Sequence, residues 1–521
     1  MHRIKILSAL AVGVTVAAMV SCRGSFSYRI DPVPSAAERT DTNQKSLMDP
    51  LLGGELRSLS VSGGGYRAML FGLGVMWRLN DLGILPNLDA ISSVSGGSIL
   101  NAYVAIHWHE LHFKNPGTVF AQSADNFGDV VAAPILGLSQ HTIDSRAVVF
   151  GALVPGQSAA NFVARSLDCR LFRGARMESF VDEDRAPQFY LYATDLGTGE
   201  PWVWARRRSG FPGAGYRQVL PSRAIKVADA VAASAAFPPF LSPARFKFRG
   251  ASERLKQEYP FLATGGSMAL LPFPPQTEFL EHIDRVDLAD GGLVNNLASI
   301  RCSHASRLCI VSDAANGPVR QRVWPTWIGE MNPVVEAIYN QKEALLRADD
   351  RMAFSGRGAS RVSVQLTDDH WGFRLGDLRK SILQVMDAAL ADSSCATDSY
   401  CGNWALSVKK TWEAGYADAL VLHTMETLGQ HIKGAQIDTR LARVKLSEAE
   451  DIVRLGYLEA DLALLDSARS RLDAVKSHAS PAEAVDVLMQ FSGTTSDRWL
   501  KTPLTFPVMP PPKLTTCIWP N

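Results

Sequence analysis

The sequence predicts an α/β fold with a mostly parallel central sheet flanked by helices. Leu56–Val61 alternates like a strand and runs into glycines, and Tyr66–Leu82 carries apolar residues at helical spacing. The same order follows again, with a strand predicted over Leu88–Val94 and a helix over Ser98–His112. Strand, helix, strand and helix in so short a span are typical of parallel βαβ units.

The remainder of the chain continues this pattern and then becomes helical. Further strands are predicted at Gln188–Thr194, Arg285–Ala289 and Leu308–Ser312, separated by longer stretches. After about Met331 the pattern is mainly helical, and residues 467–521 are predicted to be helix followed by a Pro-rich tail. The expected architecture is therefore a parallel α/β domain with a mainly helical C-terminal extension.

The N-terminal segment predicts export. Residues 1–21 combine a short basic start, an apolar run and a small residue before Cys22, which is the order of a secretory signal peptide. Met19–Cys22 also resembles the lipobox of bacterial lipoproteins, so Cys22 is the predicted lipidation site. An ordinary cleaved signal with a chance cysteine is the alternative, and it would leave a periplasmic or secreted protein. We expect the polar residues 22–54 to form a flexible tether to the outer membrane or periplasmic face.

Charge and histidine spacing exclude two classes of partner. The 53 Lys and Arg residues balance 52 Asp and Glu residues, so a net charge of +1 gives no electrostatic reason to expect nucleic acid. His107, His109 and His112 lack the His-Glu-x-x-His spacing and spread over several faces of the predicted helix. We therefore expect no metal and no cofactor.

The cysteine count agrees with an oxidising compartment. Seven cysteines leave six after Cys22, and proximity in sequence suggests the pairs Cys302–Cys309 and Cys395–Cys401, with Cys169–Cys517 as the remainder. Buried free thiols are the alternative, and an exported protein favours the disulfides.

A serine stands where the second predicted strand gives way to its helix. A nucleophile elbow is a sharp, strained turn, and it requires small residues two positions before and two positions after the nucleophile. Ser95 has Ser93 and Gly97 at these positions, whereas Ser93 and Ser98 each have a bulky residue at one of them. Ser95 is therefore the candidate nucleophile, and a simple Ser/Gly loop is the alternative.

A glycine-rich turn follows the first predicted strand. Gly63, Gly64 and Gly65 let the backbone approach a ligand closely, and the start of the next helix presents unpaired N–H groups to negative charge. The turn lacks the Gly-x-Gly-x-x-Gly spacing of a dinucleotide site, and one βαβ unit would bring it to the same sheet edge as the candidate nucleophile. It can serve there as an oxyanion hole, and Arg67 adds a cation that could meet a phosphate or a developing charge.

A carboxylate at the end of a later strand completes the candidate chemistry. Asp290 is followed by two glycines and could act as general base on the serine without a histidine, although an Asp-Gly turn is common. Asp195 and Asp313 are rival carboxylates because each ends a predicted strand. His370 and His423 could complete a Ser-Asp-His order, but neither lies in a recognisable motif.

The three motifs together resemble the patatin-like phospholipase family, in this order along the chain. The oxyanion segment also resembles that of cytosolic phospholipase A2, which uses the same dyad. The resemblance covers residues 55–466 and implies a three-layer sandwich in which Ser95 is the nucleophile, Asp290 the base, and Gly63, Gly64 and Gly65 the oxyanion hole, with Arg67 binding substrate. Further stretches that look like the family are Ala193–Gly199, Ser234–Pro239, Asn340–Gln341 and Gly456–Asp461.

The resemblance implies a serine esterase that hydrolyses lipid acyl esters, with a phospholipid or lysophospholipid as substrate at a membrane surface. Acyl transfer to an acceptor other than water could use the same site. A non-catalytic surface lipoprotein that keeps the fold as an interaction scaffold is the alternative of a different class. The motif set favours the enzyme, because a decayed enzyme would be expected to lose one of the three motifs.

Overall fold

A single mixed sheet organises the chain. Its strand order is β1-β8-β9-β4-β3-β2-β10-β11, with β5, β6 and β7 branching from β4. The central run from β4 to β11 is parallel, whereas β9 pairs antiparallel with both β4 and β8. The strands are β1 Phe26–Arg29, β2 Leu56–Val61, β3 Ala90–Val94, β4 Gln188–Asp195, β5 Pro201–Trp204, β6 Arg208–Gly210, β7 Leu220–Pro221, β8 Ala244–Arg249, β9 Arg285–Asp290, β10 Ser306–Asp313 and β11 Ser360–Gln365.

Helices flank this sheet, which confirms the predicted α/β class with its helical C-terminal part. Among the described residues, no helix combines the length and apolar composition needed to cross a membrane. The helices are α1 Gly65–Asp81, α2 Gly96–His107, α3 Ala133–Ser139, α4 Ala159–Leu167, α5 Val227–Ser234, α6 Ala251–Glu258, α7 Gly292–Asn295, α8 Trp371–Ala391, α9 Tyr400–Glu413, α10 Tyr416–Ala435 and α11 Leu446–Val475.

The computed structural model describes most of the chain between residues 24 and 475, together with residues 504, 506 and 507. All five strands predicted from the sequence are present at nearly their predicted bounds, and Asn340–Gln341 lies outside the described residues. The longer stretches not described are 1–23, 32–55, 114–122, 211–219, 259–280, 301–305, 315–359, 436–440, 476–503 and 508–521.

Residues 24–31 belong to the folded domain, which corrects the expectation of a tether for that part of 22–54. Strand β1 pairs parallel with β8 at the sheet edge, and the rings of Phe26 and Phe246 are 5.0 Å apart. The physical reason is the alternation of Phe26, Tyr28 and Ile30, which buries apolar surface on one face of an extended strand. Cys22 lies outside the described residues, so its lipidation stays a prediction.

Helix α11 packs against α1, the helix that follows β2, and holds it in place. Gly74 and Gly456 permit the close crossing of α1 and α11, because a Cβ at either position would overlap the backbone of the other helix. Arg78 of α1 forms a buried ion pair with Asp461, with Nε and Oδ1 2.5 Å apart, and donates a hydrogen bond to the Tyr457 hydroxyl at 2.9 Å. The C-terminal helix therefore holds the helix whose N-terminus follows the glycine-rich turn.

One of the three expected disulfides is confirmed. Cys395, in the short turn after α8, is bonded to Cys401 near the start of α9. Cys169 and Cys309 are also disulfide-bonded, but their predicted partners Cys517 and Cys302 lie outside the described residues. Those two pairings stay predictions.

Candidate active site

Ser95 occupies a strained turn between β3 and α2. Its backbone φ is 53° and its ψ is −125°, a conformation that costs free energy in a residue other than glycine and persists only where its surroundings impose it. A Cβ at Gly96 would overlap the carbonyl oxygen of Gly65, and a Cβ at Gly97 would overlap the carbonyl oxygen of Ser62. The turn therefore depends on glycine at both positions, as the elbow interpretation expects.

The glycine-rich turn packs directly against this elbow. A Cβ built on Gly63 would lie 3.1 Å from the Cβ of Ser95, so the two turns meet at the same sheet edge. The Gly63 N–H donates to the carbonyl oxygen of Asn296 at 2.9 Å and is engaged within the protein. Among the residues that the structure describes, the N–H groups of Gly64 and Gly65 have no such partner. The predicted oxyanion hole of Gly63, Gly64 and Gly65 stays a prediction, with the Gly64 and Gly65 amides as its candidate donors.

Asp290 ends β9 and is brought to the elbow across β4. Its register partner on β4 is Ala193, one residue beyond the Tyr192 that pairs with Val94 of β3. The carboxylate is only 2% exposed, and its Oδ1 accepts the Gly292 N–H at 2.8 Å. Burial raises the pKa of Asp290 to about 7, and hydrogen bonding by the Ser95 side chain and by the Gly292 amide offsets part of that rise.

The rival carboxylates are engaged elsewhere. Asp195 is fully buried, and its Oδ2 lies 2.6 Å from Nε2 of His282 while its Oδ1 accepts the Gly197 N–H at 2.9 Å. Asp313 ends β10 on the far side of β2 from the elbow. His423 is exposed on α10, whose helix neighbours are α8, α9 and α11, and His370 lies outside the described residues.

Arg67 lies under the glycine-rich turn rather than at the surface. Its side chain is 3% exposed, and its Nε donates to the carbonyl oxygen of Ala314 at 3.0 Å. A guanidinium nitrogen, Nη2, lies 3.7 Å from where a Cβ on Gly64 would be. Its charge therefore sits behind the candidate oxyanion amides, and its predicted role in substrate binding stays a prediction.

No metal-binding cluster of three or more His, Cys, Asp or Glu side chains occurs among the described residues. His107 of the histidine-rich segment instead pairs with Glu110, with Nδ1 and Oε1 2.6 Å apart.

The sequence analysis did not identify three groups that support the candidate active site. The Ser234 hydroxyl accepts the Ser95 N–H at 2.9 Å, and the Asn296 carbonyl holds the Gly63 amide. The Gly96 amide is the first of α2 and follows the candidate nucleophile, a position that contributes to the oxyanion hole in comparable elbows. Ser234 stands in a stretch that resembles the family, so that resemblance was the one available signal for it.

Comparison with protein families identifies a matching family. The model of the family described as "Patatin-like phospholipase" matches residues 59–298, a range that contains all three motifs, and it confirms the resemblance of the sequence to that family. No curated protein matches the chain.

Solved structures with a similar arrangement are distant. Human GIVD cytosolic phospholipase A2 in complex with methyl gamma-linolenyl fluorophosphonate is 12% identical, with 92% of this chain and 64% of that chain covered at a TM-score of 0.39. A second structure of the human enzyme is 13% identical, with 57% of this chain and 48% of that chain covered at a TM-score of 0.31. VipD from Legionella pneumophila is 13% identical, with 87% of this chain and 93% of that chain covered at a TM-score of 0.25. The chain spans less than two thirds of the human enzyme's length in both structures.

Proposed function

Because the chain contains a patatin-like phospholipase domain over residues 59–298, we propose that it is a serine esterase that hydrolyses lipid acyl esters with Ser95 as nucleophile and Asp290 as general base. The family match itself supports a lipid hydrolase in the broad sense. The observation that carries the finer proposal is the buried Asp290 carboxyl, with a pKa of about 7, beside a serine on a strained elbow.

The proposed acylation step uses the raised pKa of Asp290. As Ser95 Oγ attacks the ester carbonyl carbon, its proton passes to the Asp290 carboxylate, and the carbonyl oxygen becomes an oxyanion near the Gly64 and Gly65 amides. When the tetrahedral intermediate collapses, the carbon–oxygen bond to the alcohol breaks and Asp290 returns the proton to that alcohol. A base with a pKa near the working pH is suited to both transfers.

The proposed deacylation step repeats this order with water. Asp290 takes a proton from the attacking water, and the resulting intermediate expels Ser95 Oγ, which recovers the proton as the fatty acid leaves. Preorganised donors at an oxyanion are each worth about 3 kcal/mol of barrier. The orientation of the glycine-rich turn against the elbow is therefore as important to the proposal as the dyad.

The proposed substrate is a phospholipid or lysophospholipid at a membrane surface. A lipidated Cys22 would place the domain at that surface, and β1 begins only four residues after it. On these grounds we propose that the protein is an exported lipoprotein. Mass spectrometry of the mature N-terminus tests the lipid anchor.

Fatty-acid release from phospholipid and lysophospholipid vesicles, and from a soluble short-chain ester, tests the activity. We expect the purified protein to release fatty acid and Ser95→Ala to lose about 10⁴-fold or more in kcat. Asp290→Asn should also lose activity, and Asp195→Asn is its matched control, because it neutralises another buried strand-end carboxylate, one that pairs with His282. Full activity of Ser95→Ala would overturn the proposal, and so would an inert parent that is fully folded.

A further inference from the structure

The end of α5 and the two residues after it contact both members of the proposed dyad. The Ser95 N–H donates to Ser234 Oγ at 2.9 Å. The Gly291 N–H donates to the Ser234 carbonyl oxygen at 3.2 Å, and the Asp290 N–H donates to the Ala236 carbonyl oxygen at 3.0 Å. Residues 234–236 therefore bind the backbone at the serine and at the aspartate together.

The contacts of residues 234–236 are needed because the sheet does not pair the strand before Ser95 directly with the strand that ends at Asp290. Ser95 follows β3 and Asp290 ends β9, and β4 lies between these two strands. The ladder hydrogen bonds fix β3 to β4 and β9 to β4, but they do not join β3 to β9. The side chain of Thr194 adds to the second pairing, since its Oγ1 donates to the Asp290 carbonyl oxygen at 2.8 Å. The distance between the Ser95 and Asp290 side chains therefore depends on the contacts that residues 234–236 make beyond the strand ends.

The Ser234 hydroxyl is itself held in one orientation. It donates its single proton to the Tyr192 carbonyl oxygen at 2.6 Å, so its lone pairs face the Ser95 N–H and the Ser98 hydroxyl, which is 2.9 Å away. Ser98 Oγ is 3.0 Å from Ser93 Oγ. All of these hydroxyl groups are buried, and a buried network in which each member has a partner is rigid.

The serine at the first position of the elbow motif is part of the same network. Ser93 Oγ donates to the Tyr190 carbonyl oxygen at 3.2 Å and accepts from Asn101 Nδ2 at 2.9 Å. The hydroxyl is therefore satisfied beneath the turn.

We propose that Ser234 is a positioning residue for the ester hydrolysis, acting through the Ser95 backbone to hold the nucleophile at the Asp290 carboxylate. This inference rests on the proposed function. Without the hydroxyl, the buried Ser95 N–H loses its acceptor, and the strained backbone at Ser95 loses one of the contacts that impose it.

Ser234→Ala is the primary test, with kcat, KM and amide hydrogen exchange at Ser95 as readouts in the full chain. We expect kcat to fall about 10- to 100-fold, because the Ser95 backbone is no longer held in the geometry that places its hydroxyl at the Asp290 carboxylate. KM should stay within about twofold, because no substrate contact is removed. The Ser95 amide should exchange faster than in the parent.

Two further variants separate positioning from a general loss of stability. Ser139→Ala removes a buried hydroxyl that donates to the Leu136 carbonyl oxygen at 2.7 Å in α3 and is part of no contact described above; kcat and Ser95 exchange should match the parent. Ser234→Thr restores a hydroxyl at the same atom position, and it should recover most of the lost kcat. Equal kcat and equal Ser95 exchange in Ser234→Ala and Ser139→Ala would overturn the proposal.

The failure of the proposed function gives a different pattern. If the parent is folded but neither hydrolyses esters nor reacts with an alkyl fluorophosphonate, the esterase proposal is wrong. Faster Ser95 exchange in Ser234→Ala alone would then still support the hydrogen bond as the constraint on the turn, and unchanged exchange would refute it.

Discussion

Asp290→Asn should make the protein more stable near neutral pH while removing its activity. Burial raises the pKa of Asp290 from 3.8 to about 7, so the folded state binds this proton more tightly than the unfolded state does. The parent's free energy of unfolding therefore falls as pH rises from about 4 to about 7, because the buried carboxyl must ionise. At about 1.4 kcal/mol per factor of ten, the cost approaches about 4 kcal/mol above about pH 7.

The asparagine variant escapes this cost but keeps the shape of the side chain. Its amide oxygen can still accept the Gly292 N–H that Oδ1 accepts in the parent. The two proteins should have similar free energies of unfolding at about pH 4, and the variant should be more stable by up to about 4 kcal/mol at about pH 8. Hydrolysis should fall by about 10²- to 10⁴-fold, since the proposed general base is lost.

Guanidinium chloride denaturation of both proteins from about pH 4 to about pH 8 measures the difference. Asp287→Asn on the same strand is the matched control: it removes a part-exposed carboxylate that pairs with Arg245 at 2.7 Å, and it should change stability by at most about 1 kcal/mol. A difference between parent and Asp290→Asn that stays constant with pH would refute a buried carboxyl with a raised pKa. A variant less stable than the parent at about pH 8 would refute it as well.

Three further predictions test the site and its support. The kcat/KM on a soluble ester should rise about tenfold per pH unit below about pH 7 and level off above it, since Asp290 must be ionised to accept a proton; a flat profile from about pH 5 to about pH 9 would contradict this. Gly96→Ala should abolish ester hydrolysis and lower stability by about 1–3 kcal/mol, because its Cβ would overlap a neighbouring backbone carbonyl. The exposed helical Gly376→Ala, whose Cβ meets no atom within 4 Å, should instead stabilise by about 0.5–1 kcal/mol in the same denaturation assay. Arg78→Met should destabilise by about 3–5 kcal/mol, and adding Asp461→Leu should restore most of that loss; an additive double variant would argue against the buried pair.

The sequence predicted the parts of the site that local backbone geometry dictates. Ser95 could be chosen among neighbouring serines because a tight elbow restricts the residues around it, and the structure places it at such a turn. The glycine-rich turn was recognisable because it follows a predicted strand, and the parallel strands β2 and β3 bring their carboxyl ends to one edge. Asp290 was recognisable from the two glycines that follow it, but its strand is antiparallel to β4, and the register of that pair brings it to the elbow.

The supporting contacts were not predictable because they join residues far apart in sequence. Ser234 reaches Ser95 over 139 positions, and Arg78 reaches Asp461 over 383. Neither residue has a local pattern that distinguishes it from an ordinary buried serine or a helix-surface arginine. Their partners depend on how helices dock, which periodicity does not specify.

The sequence analysis did not indicate β1, β5 to β7, β8 and β11, although β8 and β11 have six residues each. Strand β1 spans four residues in a stretch whose following prolines and polar residues favoured a tether. Strands β5 to β7 span two to four residues, too few to show an alternating pattern. Strand β11 lies within a region whose overall pattern is helical, and its pairing with β10 places it at the sheet edge.

Covalent labelling with an alkyl fluorophosphonate, followed by mass spectrometric mapping of the modified peptide, tests the central claim most directly. We predict a single modified residue, Ser95, with no labelling of Ser95→Ala and markedly slower labelling of Asp290→Asn. Labelling of another serine, or a folded protein that hydrolyses lipid esters while Ser95 stays unmodified, would contradict the account.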